Sequence, residues 1–380
     1  MNDFTYWNPT RLVFGRGAIA RLADLVPARA RVLLAYGGGS ILKNGVHAQV
    51  LAALGERTVV PFAGIEPNPD HATLMKAVAR VREERLDFLL AVGGGSVLDG
   101  IKYVAAAARW PGPDPWDILR TAGQGVASAV PVGAVLTLPA TGSEANPTAV
   151  ISRRETGEKL YFGADCCYPA FAVLDPQTTF SLPARQVANG IVDAFVHVME
   201  QYATQPAAAP LQDRQAEAIL ATLVEEAPAI LADPPGYDAR ATFTWCATQA
   251  LNGLIGCGVP QDWATHMIGH ELTALHGLDH GVTLAVVLPG VLRHEVEFKR
   301  GKLAQLGRRV FGVDGAEAAI DRVEAFFRSV GQRTRLSEHG VDADAAADRI
   351  ARRFRARGAR FGERGAIGPE EAAAIVRARA

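Results

Sequence analysis

Apolar positions in the first half of the chain form short unbroken runs separated by stretches of helical period, the pattern of buried parallel strands joined by crossover helices. RVLLAY (31–36) and DFLLAV (87–92) predict two such strands, each running into glycines, and 130–138 and 171–174 predict two more. Between the first pair, HATLMKAVARVREER (71–85) carries apolar residues three and four apart and predicts the crossover helix. After SLPARQ the β-branched runs thin out, and alanine-rich segments of helical period continue to the end. They predict helices over 186–202, 211–231, 239–255, 262–276, 315–330, 345–355 and 369–379. The expectation is an α/β domain over 1–183, with a mostly parallel sheet, followed by an all-α domain over 184–380.

Composition changes this picture little. A chain of 380 residues exceeds what one core usually serves, which agrees with two domains. The formal net charge of −1 gives no electrostatic reason to expect nucleic acid or a membrane surface. The longest uncharged stretch, between Arg120 and Glu144, contains Pro131, Gly133, Pro139 and Gly142, so it reads as a strand with its loops and not as a membrane helix. Four cysteines without C-x-x-C spacing make no disulfide framework, and Cys166-Cys167 read as buried small residues. MNDFTYWNPTRLVFG lacks the apolar region of a secretory signal, and a cytoplasmic location is expected. The arginines of RIARRFRARGARFGER are interspersed with acids and read as a solvated amphipathic helix.

Chemistry enters with ATHMIGHELTALHGLDHG (264–281), which holds four of the nine histidines. His266 and His270 stand one turn apart on a helix face, and His276 and His280 repeat the spacing. In GIVDAFVHVMEQY, Asp193 and His197 again set a carboxylate and an imidazole one turn apart. A single such pair is often only a solvated face; two pairs with an aspartate suit a divalent cation such as Zn²⁺ or Fe²⁺. Glu200 shares the face of Asp193 and His197 and could support a metal shell there, yet reads more simply as a surface or salt-bridged residue.

Gly93-Gly94-Gly95-Ser96 follows a strand and opens a helix, so its backbone could receive a pyrophosphate, although a tight structural turn is the competing reading. Leu98 stands where a G-x-G-x-x-G needs its third glycine, and Ile101 where a Walker loop needs lysine. Gly37-Gly38-Gly39-Ser40 repeats the device after the preceding strand. No acidic residue waits there for a ribose 2′-hydroxyl, while Ser40 and Lys43 suit a 2′-phosphate, which favours NADP(H). TLPATGSEANP offers the hydroxyls of Thr137, Thr141 and Ser143, or else is an ordinary polar loop; Lys159, in the turn-like TGEKL, reads as a surface lysine.

GGGSVLDGIKY, TLPATGSE, GIVDAFVHVMEQY and HMIGHELTALHGLDHG, in that order, together resemble the iron-containing alcohol dehydrogenase family. ALNGLIGCGVPQDWATHMIGHELTALHGLDH is similar to its NADPH-dependent aldehyde reductase and butanol dehydrogenase branch. The resemblance implies a dehydroquinate-synthase-like fold, a nucleotide-binding α/β domain and an all-helical domain with the active site in the cleft between them. It implies one divalent metal, zinc or iron, on Asp193, His197, His266 and His280, with His270 near the substrate as proton donor and His276 as the weaker alternative. Gly94, Gly95, Ser96 and Asp99 match the family's pyrophosphate loop and helix start. Asn68, Thr137, Thr141 and Lys159 match positions around the rest of the dinucleotide; Gly37, Gly38, Gly39 and Ser40 depart from the commonest family pattern, which has an acidic residue in that loop. The implied reaction is reversible reduction of an aldehyde to a primary alcohol by a homodimer; a polyol dehydrogenase or a dehydroquinate-synthase-like enzyme is the alternative on the same fold.

Overall fold

The computed structural model describes residues 1–380. Eight strands form: β1 (Arg11–Phe14), β2 (Arg31–Tyr36), β3 (Thr58–Phe62), β4 (Phe88–Gly94), β5 (Val132–Leu138), β6 (Thr148–Arg153), β7 (Glu158–Gly163) and β8 (Phe171–Leu174). Six make one parallel sheet in the order β1-β8-β5-β4-β2-β3, and β6 with β7 makes a separate antiparallel hairpin. The α/β expectation is met, and the period-2 geometry of the strands explains why their runs are apolar throughout. Leu33, Ala35, Leu89, Ala91, Ala134 and Leu136 enter the core on one face of the sheet. Val32, Leu34, Leu90, Val92 and Val135 enter the core on the other.

The crossover helix forms over His71–Glu83, its first turn capped by the Asp70 side chain on Ala72 N–H at 3.0 Å. β4 continues through Gly94, and a helix starts at once, over Gly95–Arg109. Beyond Pro183 the chain is helical, as expected, with helices Ala184–Tyr202, Pro210–Ile230, Ala264–His276, His280–His294, Val296–Leu306, Ala316–Ser329, Ala343–Arg357 and Pro369–Arg377 among them. No helix is long and apolar enough to cross a membrane.

The chain divides into two compact units. One comprises Trp7–Leu182 with Pro235–Thr248; the other comprises Met1–Tyr6, Pro183–Pro234 and Gln249–Ala380. The helical unit has its own core, in which Ile268, Leu272, Val286, Val287, Ile350 and Phe354 meet. Helix Ala184–Tyr202 is buried on every side from Gly190 onward, so its polar residues Asp193, His197, Glu200 and Gln201 have no water to turn to. Each must find a partner inside the protein.

Candidate metal centre and nucleotide cradle

Two glycines set the histidines of the helical unit around Asp193. A Cβ on Gly281 would stand 2.6 Å from the carbonyl oxygen of Asn189, so only glycine lets the first turn of helix His280–His294 lie against helix Ala184–Tyr202. His280 therefore reaches the carboxylate one turn beyond Asn189. A Cβ on Gly269 would stand 2.9 Å from Thr283 Oγ1, which brings helices Ala264–His276 and His280–His294 equally close. His276 and His280 share no helix face, because the first of these helices ends at His276 on left-handed Gly277 (φ 68°). His276 lies apart, half-buried, its pKa lowered by burial and by Arg349.

Asp193 Oδ1 has His197 Nδ1 at 3.5 Å, His266 Nε2 at 3.6 Å and His280 Nε2 at 3.6 Å. Ligand atoms of Asp193, His266 and His280 lie within 4.8 Å of one another. His197 joins them through Asp193 and by stacking its ring on His266, centroids 4.6 Å apart. His266 Nε2 is buried and makes no hydrogen bond. Donors held 2.0–2.2 Å from a tetrahedral cation stand about 3.4 Å apart, and a carboxylate with imidazoles is a zinc- or iron-type donor set. These residues thus fit a divalent cation in both spacing and chemistry. His270, buried one turn after His266, has its ring 5.4 Å from that of His280 and 6.3 Å from that of His266.

Glu200 is paired, not a surface residue. It is buried, its Oε1 accepts from Thr265 N–H at 2.6 Å, and its Oε2 takes a short hydrogen bond from His266 Nδ1. This is the carboxylate–histidine pairing that sets a ligand's tautomer, leaving Nε2 for a cation. Burial alone would lower the pKa of His266, but Glu200 and Asp193 overcome it and hold it up at about 9, so a cation on Nε2 would have to displace a proton there. Its spacing of i, i+4, i+7 from Asp193 and His197 was the available signal. Farther back, Asp262 donates its N–H to the Glu200 carbonyl at 2.8 Å and caps Ala264 N–H at 2.8 Å. Buried Lys299 links Asp262 (2.8 Å) to Glu363 (3.0 Å) and to the carbonyl of Ala203 (2.6 Å). The arginine-rich helix is only partly solvated, because Arg353 and Arg357 both bind the buried carboxylate of Glu271 on the histidine helix.

In the α/β unit, Gly93, Gly94 and Gly95 are required by packing. A Cβ at these positions would meet Val97 Cγ2 at 2.5 Å, Leu138 Cβ at 2.9 Å and Thr141 Oγ1 at 2.5 Å. The segment is a strand end abutting the N-terminus of a fifteen-residue helix, whose orphan N–H groups and dipole suit an anion. Ser96 Oγ accepts from Asn68 N–H at 3.3 Å, and Asn68 itself is left-handed (φ 55°). Lys159 is not a surface residue: it is buried within β7 and its Nζ donates to Asn68 Oδ1 at 2.8 Å. Asp99, carried by the helix as expected, turns to the protein, with Oδ1 accepting from Ser143 Oγ at 2.6 Å and Oδ2 from Val150 N–H at 2.9 Å. Thr137 is buried near the end of β5, and Thr141 Oγ1 accepts from Ser143 N–H at 3.2 Å.

Sequence reasoning passed over Lys102, one turn after Asp99. It is fully buried, and its Nζ donates to Ser143 Oγ (2.8 Å), Asn146 Oδ1 (3.2 Å) and Thr148 O (2.8 Å). Burial pushes its pKa down to about 8, against the pull of Asp99. The signal was a lone charge in the otherwise apolar run GIKYVAAAA. At the end of β2, left-handed Gly39 (φ 89°) starts a short helix, Ser40–Lys43, on which Ser40 and Lys43 are exposed and no carboxylate occurs. Gly37 has the Ile65 carbonyl 3.1 Å from where its Cβ would be, whereas Gly38 faces open space. Cys166 departs from the buried reading: on the turn Asp165–Cys167 it points outward while Cys167 points in, and both are free thiols.

Comparison with known proteins covers both parts of the chain. The family model "Iron-containing alcohol dehydrogenase" matches residues 9–176, and "Fe-containing alcohol dehydrogenase family, C-terminal" matches 187–360. The chain is 56% identical to the NADPH-dependent aldehyde reductase YqhD of Escherichia coli, over 91% of each chain. It is 42% identical to the probable NADH-dependent butanol dehydrogenase 1 of Bacillus subtilis, over the whole of both. The crystal structure of Escherichia coli YqhD superposes with a TM-score of 0.98 at 52% identity, covering 100% of this chain and 99% of that one. With full-length relatives at such identity and a buried Asp-His set that suits a divalent cation, this chain belongs to the iron-containing alcohol dehydrogenase family.

Proposed function

We propose that the chain catalyses reversible, metal-dependent reduction of aldehydes to primary alcohols with NADPH. The observation that carries this is the convergence of His266 Nε2 and His280 Nε2 on Asp193 Oδ1, with Glu200 behind His266. His197, beside Asp193, completes the set we assign to the cation. A divalent cation so held supplies Lewis acidity to the carbonyl oxygen, and zinc and iron both suit the donors. His270, buried one turn from a ligand, hands a proton to the product oxygen directly or through water. Gly94, Gly95 and Ser96, at the helix N-terminus, receive the pyrophosphate; Asn68, Lys159, Thr137 and Thr141 serve the rest of the dinucleotide.

Relatives use either nicotinamide cofactor by name, and the segment around Ser40 supports NADPH here. With no carboxylate on 37–43, Ser40 and Lys43 are free to donate to a 2′-phosphate, and Gly37, Gly38 and Gly39 let it approach. Free thiols support a cytoplasmic location, and exposed Phe14 and Trp245, edge to face at 6.1 Å beside the edge strand β1, support a homodimer. Initial rates with butanal and each cofactor, alongside elemental analysis, test the reading. Turnover with NADPH is expected, lost with the metal in His266→Ala. No oxidation of NADPH by any aldehyde, or full activity in the metal-free variant, overturns it.

A further inference from the structure

Trp263 is a bulky residue in a conformation that favours glycine, directly beside the imidazoles assigned to the cation. Its φ of 63° and ψ of 3° lie in the left-handed region, shared by only four other non-glycine residues, none of them aromatic. Nothing in the backbone asks for tryptophan there. Helix Ala264–His276 begins on other caps, with Asp262 Oδ1 on Ala264 N–H and Glu200 Oε1 on Thr265 N–H. The left-handed turn would be easier for glycine or asparagine. A strained residue persists where its side chain is wanted in one place.

That place is set by three contacts. The indole N–H donates to Gln261 Oε1 at 2.9 Å, which anchors the polar edge of the ring. The ring meets His266 edge to face, centroids 5.5 Å apart at 69°, and lies 6.2 Å from His197 at 59°. The residue is half-buried, so part of an apolar ring stays open next to the ligands. An aldehyde whose oxygen is directed to those ligands carries its substituent on the carbon bonded to that oxygen, and the indole is the apolar surface beside His266 and His197.

Resting on the aldehyde-reduction reading, we propose that Trp263 is the wall against which the substrate's hydrocarbon chain packs, and that it makes the protein selective for unbranched apolar aldehydes of increasing length. Each methylene laid on such a surface is worth about a fourfold gain in binding. The gain ends where the chain outgrows the ring.

The test compares wild type with Trp263→Phe and Trp263→Ala, as holoenzymes of verified metal content. Two readouts are taken: kcat/KM over propanal, butanal, pentanal and hexanal with NADPH, and the dissociation constants of butanamide, pentanamide and hexanamide as unreactive analogues. Wild type is expected to gain roughly fourfold per methylene in both series. Trp263→Ala should gain less than twofold, and Trp263→Phe should fall between. A loss by one common factor for every chain length, or wild-type series without a slope, overturns the proposal. Should wild type reduce no aldehyde, the functional reading fails, and the slope of the amide series still decides whether the wall exists.

Discussion

Glu200→Gln is nearly isosteric, yet it should damage the proposed metal centre more than its size implies. The carboxylate accepts twice from buried donors, Thr265 N–H at 2.6 Å on Oε1 and His266 Nδ1 on Oε2. An amide has one oxygen, so in either orientation its NH₂ faces one of those donors. If it faces Thr265, a buried donor is stranded at a cost of about 1–3 kcal/mol. If it faces His266, the imidazole must move its proton to Nε2, which removes the lone pair aimed towards Asp193. Loss of a carboxylate from a ligating histidine typically weakens metal affinity 10–100-fold. At about 1.4 kcal/mol per decade that is ~1.4–2.8 kcal/mol, the range expected from the stranded donor. The assay is competition of the apoprotein with a chelator for Zn²⁺ or Co²⁺ at pH 7.5, with thermal unfolding of both apoproteins as a control for general damage. Affinity within twofold of wild type would refute the assignment of Glu200 as the residue that orients His266.

Other expectations follow from the same contacts. Ser40→Asp should raise KM for NADPH at least about tenfold, roughly 1.4 kcal/mol, by placing a carboxylate opposite the 2′-phosphate, and should change NADH little; equal effects on both cofactors would show that this segment does not meet the ribose. Gly95→Ala puts a Cβ 2.5 Å from Thr141 Oγ1, so it should lower stability by about 1–3 kcal/mol and weaken NADPH binding, seen by denaturant titration and nucleotide fluorescence. Burial, reinforced by the hydrogen bond to Asp262, raises Glu363 from its ordinary 4.5 to about 7. A raised carboxyl stabilises the fold fully below its unfolded value, and that stability is lost as pH rises through 7. Thermal midpoints of wild type should therefore fall between pH 5 and 8, and those of Glu363→Gln should fall less; parallel curves would remove Glu363 as the cause.

What the sequence disclosed and what it hid divide along one physical line. Periodicity reports which face of an element is apolar, so β2 and the crossover helix were legible almost to the residue. It fails where a local residue contradicts the tertiary outcome. β3 contains Pro61 and is tolerated because it is an edge strand, paired only with β2. Helix His280–His294, which no predicted segment covers, contains Gly281, Pro289 and Gly290, and a Cβ on Gly281 or Gly290 would strike a neighbouring element. The predicted helix over 239–255 stops at Ala250, ahead of left-handed Gly253. The same line runs through the site. The turn-by-turn spacing of Asp193 with His197, and of His266 with His270, could be read off the chain, because each pair lies on one helix. The bond from Glu200 to His266 spans 66 positions, and that from Lys159 to Asn68 spans 91; periodicity does not show partners so distant, and a charged side chain, taken alone, reads most simply as solvated. A lone charge in an apolar helix is costly enough that its partner can be sought in advance, and Glu200, amid HVMEQY on a helix already carrying Asp193 and His197, met that criterion. The cost of burying the charge, and not the frequency of exposed glutamates, is what favours Glu200 as support behind the proposed metal centre over the surface reading.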